Sequence, residues 1–265
     1  MYRRGLPYQI APKKRLGQNF LTDRRMLEWI VSNAGLRQDD VVLEVGPGLG
    51  ALTELLQTRV KRVVAVEKDP ELVQLLRKRL RSNPRVDVVE GDILRIPLPE
   101  YDMVVSTPPY NISSKLLFRL LEKRCRRIVL VLQREFAERL VARPDTREYS
   151  RLTVMATHKA HVEILGYVPA WSFTPKPKVD SALVSITPKE SPRTVDEDLF
   201  TDLVRGLFTQ RRRMLRRSLR NYLQQRLHTL PAWIDKIEIP DKRVYQASLE
   251  EFEKLTRDLS PLIKA

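Results

Sequence analysis

The feature that most constrains the fold is a glycine-rich turn directly after a short β-type run. The segment 41–45, VVLEV, predicts a buried strand, and the sequence GPGLG at 46–50 follows it before a helical pattern begins. Glycines in such a turn let backbone N–H groups approach a ligand closely, because no side chain blocks the way. The spacing of Gly46, Gly48 and Ala51 also fits a Gly-x-Gly-x-x-Ala pattern. A dinucleotide-binding fold is therefore an open alternative at this point.

Short β-rich runs alternate with helical patterns from about residue 40 to residue 186, as is typical of a parallel sheet flanked by helices. After residue 196 the pattern is entirely helical. We therefore predict an α/β, Rossmann-like domain at 1–188, a linker near Pro188 and Pro192, and a small all-helical domain at 189–265. Strands are expected at 41–45, 63–66, 86–89, 103–105, 128–132, 161–167 and 182–187, and helices at 52–59, 70–81, 115–124 and 134–141.

The charge balance points to a polyanionic partner. The chain has 48 Lys and Arg residues against 33 Asp and Glu residues, a formal net charge of +15. Such an excess favours nucleic acid first and an acidic membrane surface second. No apolar run is long enough to span a bilayer and no secretory signal is evident, so we expect a cytoplasmic protein. The single cysteine, Cys125, excludes an internal disulfide and a cysteine-rich metal site, and no metal is expected.

Two carboxylates follow successive predicted strands. Glu67 ends the second strand, where a carboxylate can accept hydrogen bonds from the ribose hydroxyls of an adenosine ligand. NAD and S-adenosylmethionine both satisfy that contact. Asp92 follows the third strand, where it can accept from the exocyclic amine of the adenine. A polar contact at this further strand end is usual in methyltransferases and unusual in dehydrogenases, so S-adenosylmethionine is favoured.

The turn after the fourth strand, STPPY at 106–110, resembles the (Asp/Asn)-Pro-Pro-Tyr sequence of amino-group N-methyltransferases. An aromatic amine is a poor nucleophile because its lone pair is conjugated into the ring. The Thr107 side chain and the Pro108 carbonyl can accept hydrogen bonds from that amine and so aim its lone pair at a methyl donor. Tyr110 can stack on a base that has left its helix.

Two longer segments make the resemblance more specific: KRLGQNFL at 14–21 and FTPKPKVDS at 173–181. Together with the glycine turn, the strand-end acids and the Pro-Pro-Tyr turn, they are similar to the small-subunit rRNA adenine N6,N6-dimethyltransferase family, from about residue 12 to the end. The resemblance implies a seven-stranded S-adenosylmethionine methyltransferase domain. It also implies dimethylation of two adjacent adenines in a hairpin near the 3′ end of small-subunit rRNA. The expected partner is that rRNA or an immature small subunit, bound by a monomer during subunit maturation.

The resemblance also assigns roles to individual residues. Those expected at the cofactor are Gln18, Asn19 and Leu21, which would close over it, Gly46 and Gly48, which would cradle its methionine part, Glu67 at the ribose, Asp92 at the adenine, and Thr107. Those expected at the target adenine are Thr107, Pro108, and the Tyr110 and Phe173 rings, which would sandwich the base.

Basic residues in two segments are expected to contact RNA. The segment 205–226 contains eight arginines and no acid, with apolar residues at roughly helical spacing, so one face of a helix can pack while the other presents guanidinium groups. Such groups position an RNA through its phosphates without reading its sequence. The residues expected in this role are Lys13, Lys14, Arg15, Arg211, Arg212, Arg213, Arg216 and Arg217.

Thr107 keeps alternatives open, because the family normally has Asn at this position. A threonine hydroxyl is shorter than a carboxamide and must be rotated to act as an acceptor. One alternative is an RNA-binding ribosome-assembly factor with weak or lost catalysis. Another is a resistance-type methylase of large-subunit rRNA, which shares the catalytic motifs; the basic C-terminal helices and the match at 17–21 favour the small subunit. His158 and His161 form an H-x-x-H pair, for which we expect ordinary polar roles rather than metal binding.

Overall fold

The computed structural model describes residues 11–81, 83–189 and 195–264. Their backbone contacts divide the chain into two compact units. One holds the chain up to Ala137 together with Val162–Pro188, and the other holds Glu138–His161 together with the chain from Lys189 onward. The predicted linker residue Pro192 lies outside the described residues. No helix of the described part has both the length and the apolar character needed to cross a membrane.

The first unit is built on a seven-stranded sheet, whose strands are β2 (Val41–Val45), β3 (Arg62–Glu67), β4 (Val86–Glu90), β5 (Met103–Ser106), β6 (Arg127–Gln133), β7 (Ala160–Val168) and β9 (Ser181–Pro188). Their order in the sheet is β4-β3-β2-β5-β6-β9-β7. All seven predicted strands are present, and the Rossmann-like fold class is confirmed. The pairs β2–β3, β2–β5, β3–β4 and β5–β6 are parallel, whereas β6–β9 is antiparallel, so the sheet is mixed rather than purely parallel.

The helices of each unit bury apolar faces whose residues recur every three or four positions. In the first helix the Asp23 carboxylate caps the N-terminus by accepting from the backbone N–H groups of Arg25 and Met26, and Leu27, Ile30 and Val31 are buried. The helices are α1 (Arg24–Asn33), α2 (Ala51–Leu56), α3 (Pro70–Arg79), α4 (Ser113–Leu120), α5 (Arg134–Leu140), α6 (Arg151–Lys159), α7 (Glu197–Phe208), α8 (Leu215–Leu227) and α9 (Leu249–Lys264).

A separate two-stranded sheet joins two segments that are far apart in sequence. Strand β1 (Phe20–Leu21) pairs antiparallel with β8 (Phe173–Thr174), with Leu21 opposite Phe173. Leu21 and Phe173 are both buried in the same apolar cluster. The two sequence segments that carried the family resemblance therefore lie beside each other.

The second unit is helical, as the sequence predicts, but its arginine-rich segment is not one continuous helix. Helix α7 ends at Phe208 and α8 begins at Leu215. Between them, Met214 forms a β-bridge with Arg243, and the backbone N–H of Val244 donates to the Arg213 carbonyl at 3.0 Å. Those backbone groups are therefore engaged with another segment instead of continuing a helical ladder, and residues 211–213 lie in a turn.

His158 is a packing residue of the second unit. Its Nδ1 lies 2.8 Å from a Glu253 carboxylate oxygen and its Nε2 lies 3.0 Å from one of Glu197. The ring stacks on Phe200 with 4.1 Å between centroids. His161, in contrast, is exposed. Among the described residues no group of His, Cys, Asp and Glu is arranged to hold a metal ion.

Candidate active site

A cavity of about 470 Å³ lies at the carboxyl ends of strands β2, β3, β4 and β5. This edge of an open α/β sheet is where ligands of such folds bind, and the volume is within the range of small-molecule sites. Its wall brings together most of the residues that the sequence assigned to the cofactor. They are Gln18, Asn19, Gly46, Gly48, Glu67, Asp92 and Thr107.

The glycine turn has a backbone that requires glycine at two positions of the cavity wall. Gly46 and Gly48 have φ values of +68° and +58°, a conformation that residues with a Cβ rarely adopt. A Cβ on Gly48 would lie 2.7 Å from the Phe20 ring, and one on Gly46 would lie 3.2 Å from the Pro109 Cδ. The turn therefore packs directly against the N-terminal segment and the Pro-Pro-Tyr turn.

Glu67 is buried at the end of β3 and is held by backbone donors. Its Oε1 accepts from the N–H groups of Lys68 and Asp69, both at 2.8 Å, and its Oε2 accepts from Gly48 N–H at 3.2 Å. Burial raises the pKa of this carboxyl, and the three N–H donors offset part of that effect. A carboxylate has about four acceptor positions, so about one remains for a ligand hydroxyl in the cavity.

Asp92 lines the same cavity at the end of β4. Its Oδ1 accepts from Leu94 N–H at 3.1 Å, and its Oδ2 accepts from the Lys68 ammonium at 3.0 Å. Partial burial alone would raise the pKa of Asp92, but the Lys68 contact and the Leu94 N–H outweigh it and hold the pKa below its usual value. Asp92 is therefore an ionised acceptor.

The N-terminal segment is fastened to the cavity wall by a buried carboxylate that sequence analysis did not single out. Asp69 accepts from the Lys13 ammonium at 2.7 Å and from the Gln18 Nε2 at 3.0 Å. The Gln18 Oε1 in turn accepts from the Lys13 backbone N–H at 2.7 Å. Both Gln18 and Lys13 are thus engaged in holding this segment in place. Asp69 precedes Pro70 at the start of α3, which is a helix-cap pattern. The sequence alone could therefore have identified Asp69 as the cap of α3.

Leu21 lies in the apolar core, and the 470 Å³ cavity is lined by its neighbours Asn19 and Phe20 instead. Because successive strand residues point to opposite faces, Leu21 packs into the core and anchors the segment while Phe20 faces the cavity.

Thr107 stands where three spaces meet. It lines the 470 Å³ cavity, a groove of about 940 Å³ and a small notch of about 10 Å³. Within the described part of the chain its hydroxyl has no hydrogen-bond partner, unlike the neighbouring Ser106, whose Oγ donates to the Val45 carbonyl at 2.6 Å. The Thr107 hydroxyl is therefore free to meet a group that bridges the cavity and the notch.

The notch is lined by the residues that the sequence assigned to the target base, Thr107, Pro108, Tyr110 and Phe173. The Tyr110 and Phe173 rings meet edge to face, with 6.4 Å between centroids and 70° between planes. The Tyr110 hydroxyl lies 2.5 Å from the Ser181 Oγ, a contact that sequence analysis missed although Ser181 ends the second family segment. At about 10 Å³ the notch has room for about one water and not for an adenine.

Some of the basic residues predicted to bind RNA contact other parts of the protein, and the others are exposed to solvent. The Arg211 guanidinium donates to the carbonyls of Thr146, Arg147 and Tyr149 at 3.0–3.3 Å, which holds the loop before α6. Lys13 is engaged with Asp69. The side chains exposed to solvent are Lys14, Arg15, Arg212, Arg213, Arg216 and Arg217.

Residues 11–257 match the family model described as ribosomal RNA adenine dimethylase. A ribosomal RNA small subunit methyltransferase A of Geobacter metallireducens is 43% identical over 268 residues, covering 96% of this chain and 97% of the relative. A dimethyladenosine transferase from Plasmodium falciparum has a similar structure, with a TM-score of 0.81, 29% identity and coverage of 91% and 98% of the two chains. The 23S rRNA methyltransferase ErmE gives a TM-score of 0.69 at 32% identity, covering 91% of this chain and 100% of its own.

The family match spans nearly all the described residues, including both segments of the two-stranded sheet and the strand ends around the cavity. The chain belongs to the ribosomal RNA adenine dimethylase family of S-adenosylmethionine-dependent methyltransferases.

Proposed function

We propose that the chain methylates the N6 amino groups of two adjacent adenines near the 3′ end of small-subunit rRNA. The observation that carries this proposal is the position of Thr107, on the wall of both the 470 Å³ cavity and the notch between Tyr110 and Phe173. A methyl group held in the cavity and an amine held in the notch would meet there. Family membership supplies the rRNA adenine chemistry, and the small-subunit assignment rests on relatives such as the Geobacter protein.

The cavity suits S-adenosylmethionine, whose sulfonium supplies an electrophilic methyl group. The open acceptor position of Glu67 fits a ribose hydroxyl, and the ionised Asp92 fits an adenine amine. Gly46 and Gly48 line the cavity without side chains, so a ligand can approach the backbone of the turn closely. The fastened segment around Gln18 forms part of the cavity wall.

In the notch, the Pro108 carbonyl and the Thr107 hydroxyl would accept hydrogen bonds from the two N6 hydrogens. These contacts turn the nitrogen lone pair toward the methyl donor, and one proton is lost as each methyl is transferred. After the first transfer only one N6 hydrogen remains, so one acceptor loses its partner. The adenine enters when the Tyr110 or Phe173 ring turns, because the edge-to-face arrangement leaves too little room.

Exposed basic side chains would hold the RNA outside the site. Arg212, Arg213, Arg216 and Arg217, here called the arginine patch, are exposed and lie at the start of α8 or in the turn before it. Lys14 and Arg15 are exposed beside the cavity. We propose that residues 1–188 carry the chemistry and residues 189–265 position the RNA. We also propose that the protein acts as a cytoplasmic monomer on an immature small subunit.

The test is methyl transfer to purified small and large ribosomal subunits with labelled cofactor, followed by mass spectrometry of the digested RNA. We expect N6,N6-dimethyladenosine in small-subunit RNA. Label in large-subunit RNA alone would show that the chain methylates 23S rRNA, the substrate named for ErmE. Binding of cofactor and RNA without methyl transfer would show that the chain is a ribosome-assembly factor.

A further inference from the structure

Trp171 is the most exposed large hydrophobic side chain of the described residues, with 57% of its surface accessible. It lies two residues before Phe173, which is buried beside the notch. A tryptophan in water contributes little to the core, and its indole face is a good platform for stacking. Its exposure beside the proposed base site therefore indicates a surface that binds a ligand.

The indole lines the groove of about 940 Å³ that also reaches Thr107. Residues of β1 and of the first turn of α1 line the same groove, as do Gly46 and Pro47 of the glycine turn. The groove thus reaches both Trp171 and Thr107, and Thr107 also lines the notch where the target base would sit. An RNA strand whose base occupies the notch can therefore continue into this groove.

The turn that carries Trp171 is fixed on both sides of the ring. The backbone N–H of Ala170 donates to the Asp180 carboxylate at 2.8 Å. The Ser172 carbonyl accepts from the N–H groups of Thr22 at 2.9 Å and Asp23 at 3.2 Å. The indole is therefore presented from a preorganised backbone, which lowers the entropy lost when a base stacks on it.

The charge of the groove suits a phosphate backbone. Arg24 and Arg25 are exposed on its wall, and the acid beside them, Asp23, is used as the cap of α1. Arg24 pairs with Glu28 at 2.8 Å, whereas Arg25 has no ion pair in the described part of the chain. A cation beside an exposed aromatic ring is the combination that binds single-stranded nucleic acid.

We propose that Trp171 stacks on the base next to the target adenine, and that Arg25 contacts the phosphate between the two nucleotides. This inference rests on the proposed function and deepens it, because it assigns a second base-binding position to the same site. Stacking tolerates any base, so Trp171 holds the strand in place and the notch alone selects adenine.

The experiment compares wild type with Trp171→Ala, Trp171→Phe and the control Tyr167→Ala on a hairpin RNA that contains the target adenines. We expect Trp171→Ala to raise KM about tenfold, equivalent to about 1.4 kcal/mol, with little change in kcat. Trp171→Phe should restore most of the affinity, since a phenyl ring also stacks. Tyr167, an exposed aromatic side chain of the first unit that does not line the groove, should leave KM unchanged when it is replaced.

A second measurement removes the other partner of the stack. In RNAs made abasic on either side of the target, the difference between wild type and Trp171→Ala should vanish for one side and persist for the other. Equal KM values for wild type and Trp171→Ala on intact RNA would overturn the inference, as would a tenfold difference that survives both abasic substitutions.

Binding separates this inference from the proposed function. A 2-aminopurine placed beside the target should lose fluorescence on binding to wild type, and lose less with Trp171→Ala, even if no methyl is transferred. No transfer with a Trp171-dependent quench would overturn the proposed catalysis and leave the stacking established. Transfer with a quench that does not depend on Trp171 would overturn the stacking alone.

Discussion

The Gly48 backbone N–H donates to the Glu67 carboxylate at 3.2 Å, which joins the glycine turn after β2 to the end of β3. The same carboxylate closes the turn that leads into α3 through the N–H groups of Lys68 and Asp69. Glu67 thus shapes the cavity as well as lining it. A change at Glu67 should affect both cofactor affinity and local structure.

We expect Glu67→Ala to weaken binding of S-adenosylhomocysteine by roughly 1–3 kcal/mol, because a ligand hydroxyl and the three backbone N–H groups lose their acceptor. Isothermal titration calorimetry measures the loss. The matched control is Glu90→Ala, which removes the exposed acid that lies opposite Glu67 in the β3–β4 register. Equal affinity in wild type and Glu67→Ala would remove Glu67 from the cofactor site.

Thr107 is expected to set the rate of transfer. Thr107→Val removes the hydroxyl at nearly constant volume and should slow single-turnover methylation about tenfold, the value of about one hydrogen bond in the transition state. Thr107→Asn should raise the rate or the dimethyl fraction, because a carboxamide reaches further into the notch. Thr58→Val, an exposed site away from the notch, serves as control. Identical rates for wild type and Thr107→Val would deny the hydroxyl a catalytic role.

Glu44 is expected to make folding stability fall as pH rises. The side chain is almost completely buried in β2, and burial raises its pKa to about 8. An acid with a folded pKa above its unfolded value is protonated in the native state, so the unfolded state is progressively favoured from about pH 4.5 to about pH 8. Glu44→Gln should therefore stabilise the protein more at pH 8 than at pH 5, by up to a few kcal/mol, about 1.4 for each pH unit. Denaturant unfolding at both pH values tests this; an equal gain at both would show that Glu44 does not titrate as proposed.

The arginine patch is expected to dominate the salt dependence of RNA binding. Replacing Arg212, Arg213, Arg216 and Arg217 with Gln should reduce the slope of log affinity against log salt by up to about 3, since each phosphate contact contributes about 0.7–0.9. The control replaces four exposed basic residues of the first unit, Arg37, Arg59, Lys61 and Arg85. If both quadruple variants lose the same slope, the affinity comes from net charge and not from the patch.

His158 is expected to matter for stability and not for chemistry. His158→Leu keeps an apolar contact with Phe200 but leaves the Glu197 and Glu253 carboxylates without the ring nitrogens that face them. We expect a loss of about 2–3 kcal/mol in the free energy of unfolding. The exposed His161→Leu should lose much less. A His158→Leu protein as stable as wild type would show that the two contacts contribute nothing.

The sequence allowed the strands and the cavity to be predicted because the parallel core strands are continuous apolar runs and their carboxyl ends meet at one edge. Gly46, Glu67 and Asp92 follow from that rule alone. The fastening of Gln18 by Asp69, the Tyr110–Ser181 contact and the pairing of Leu21 with Phe173 could not be predicted, because each joins residues more than 50 positions apart. The break between α7 and α8 also depends on a partner outside the segment itself, because Met214 forms a bridge with Arg243. The local spacing of residues in the sequence does not indicate such partners.

Ser106 holds the glycine turn and the Pro-Pro-Tyr turn, which form two sides of the site, at a fixed spacing. Strands β2 and β5 pair only at Val42–Met103 and Leu43–Val104, and beyond that point the Ser106 Oγ accepts from the Val45 N–H at 3.2 Å and donates to the Val45 carbonyl at 2.6 Å. The Ser106 side chain thus replaces main-chain hydrogen bonds between β2 and β5. It does so where the two strands end and the chain turns away, into the glycine turn after β2 and into the Pro-Pro-Tyr turn after β5. The spacing between these two turns is therefore held by the Ser106 hydroxyl, one residue before Thr107. On the proposed function, a change of side chain at position 107 would alter the group that faces the amine while this spacing stays the same.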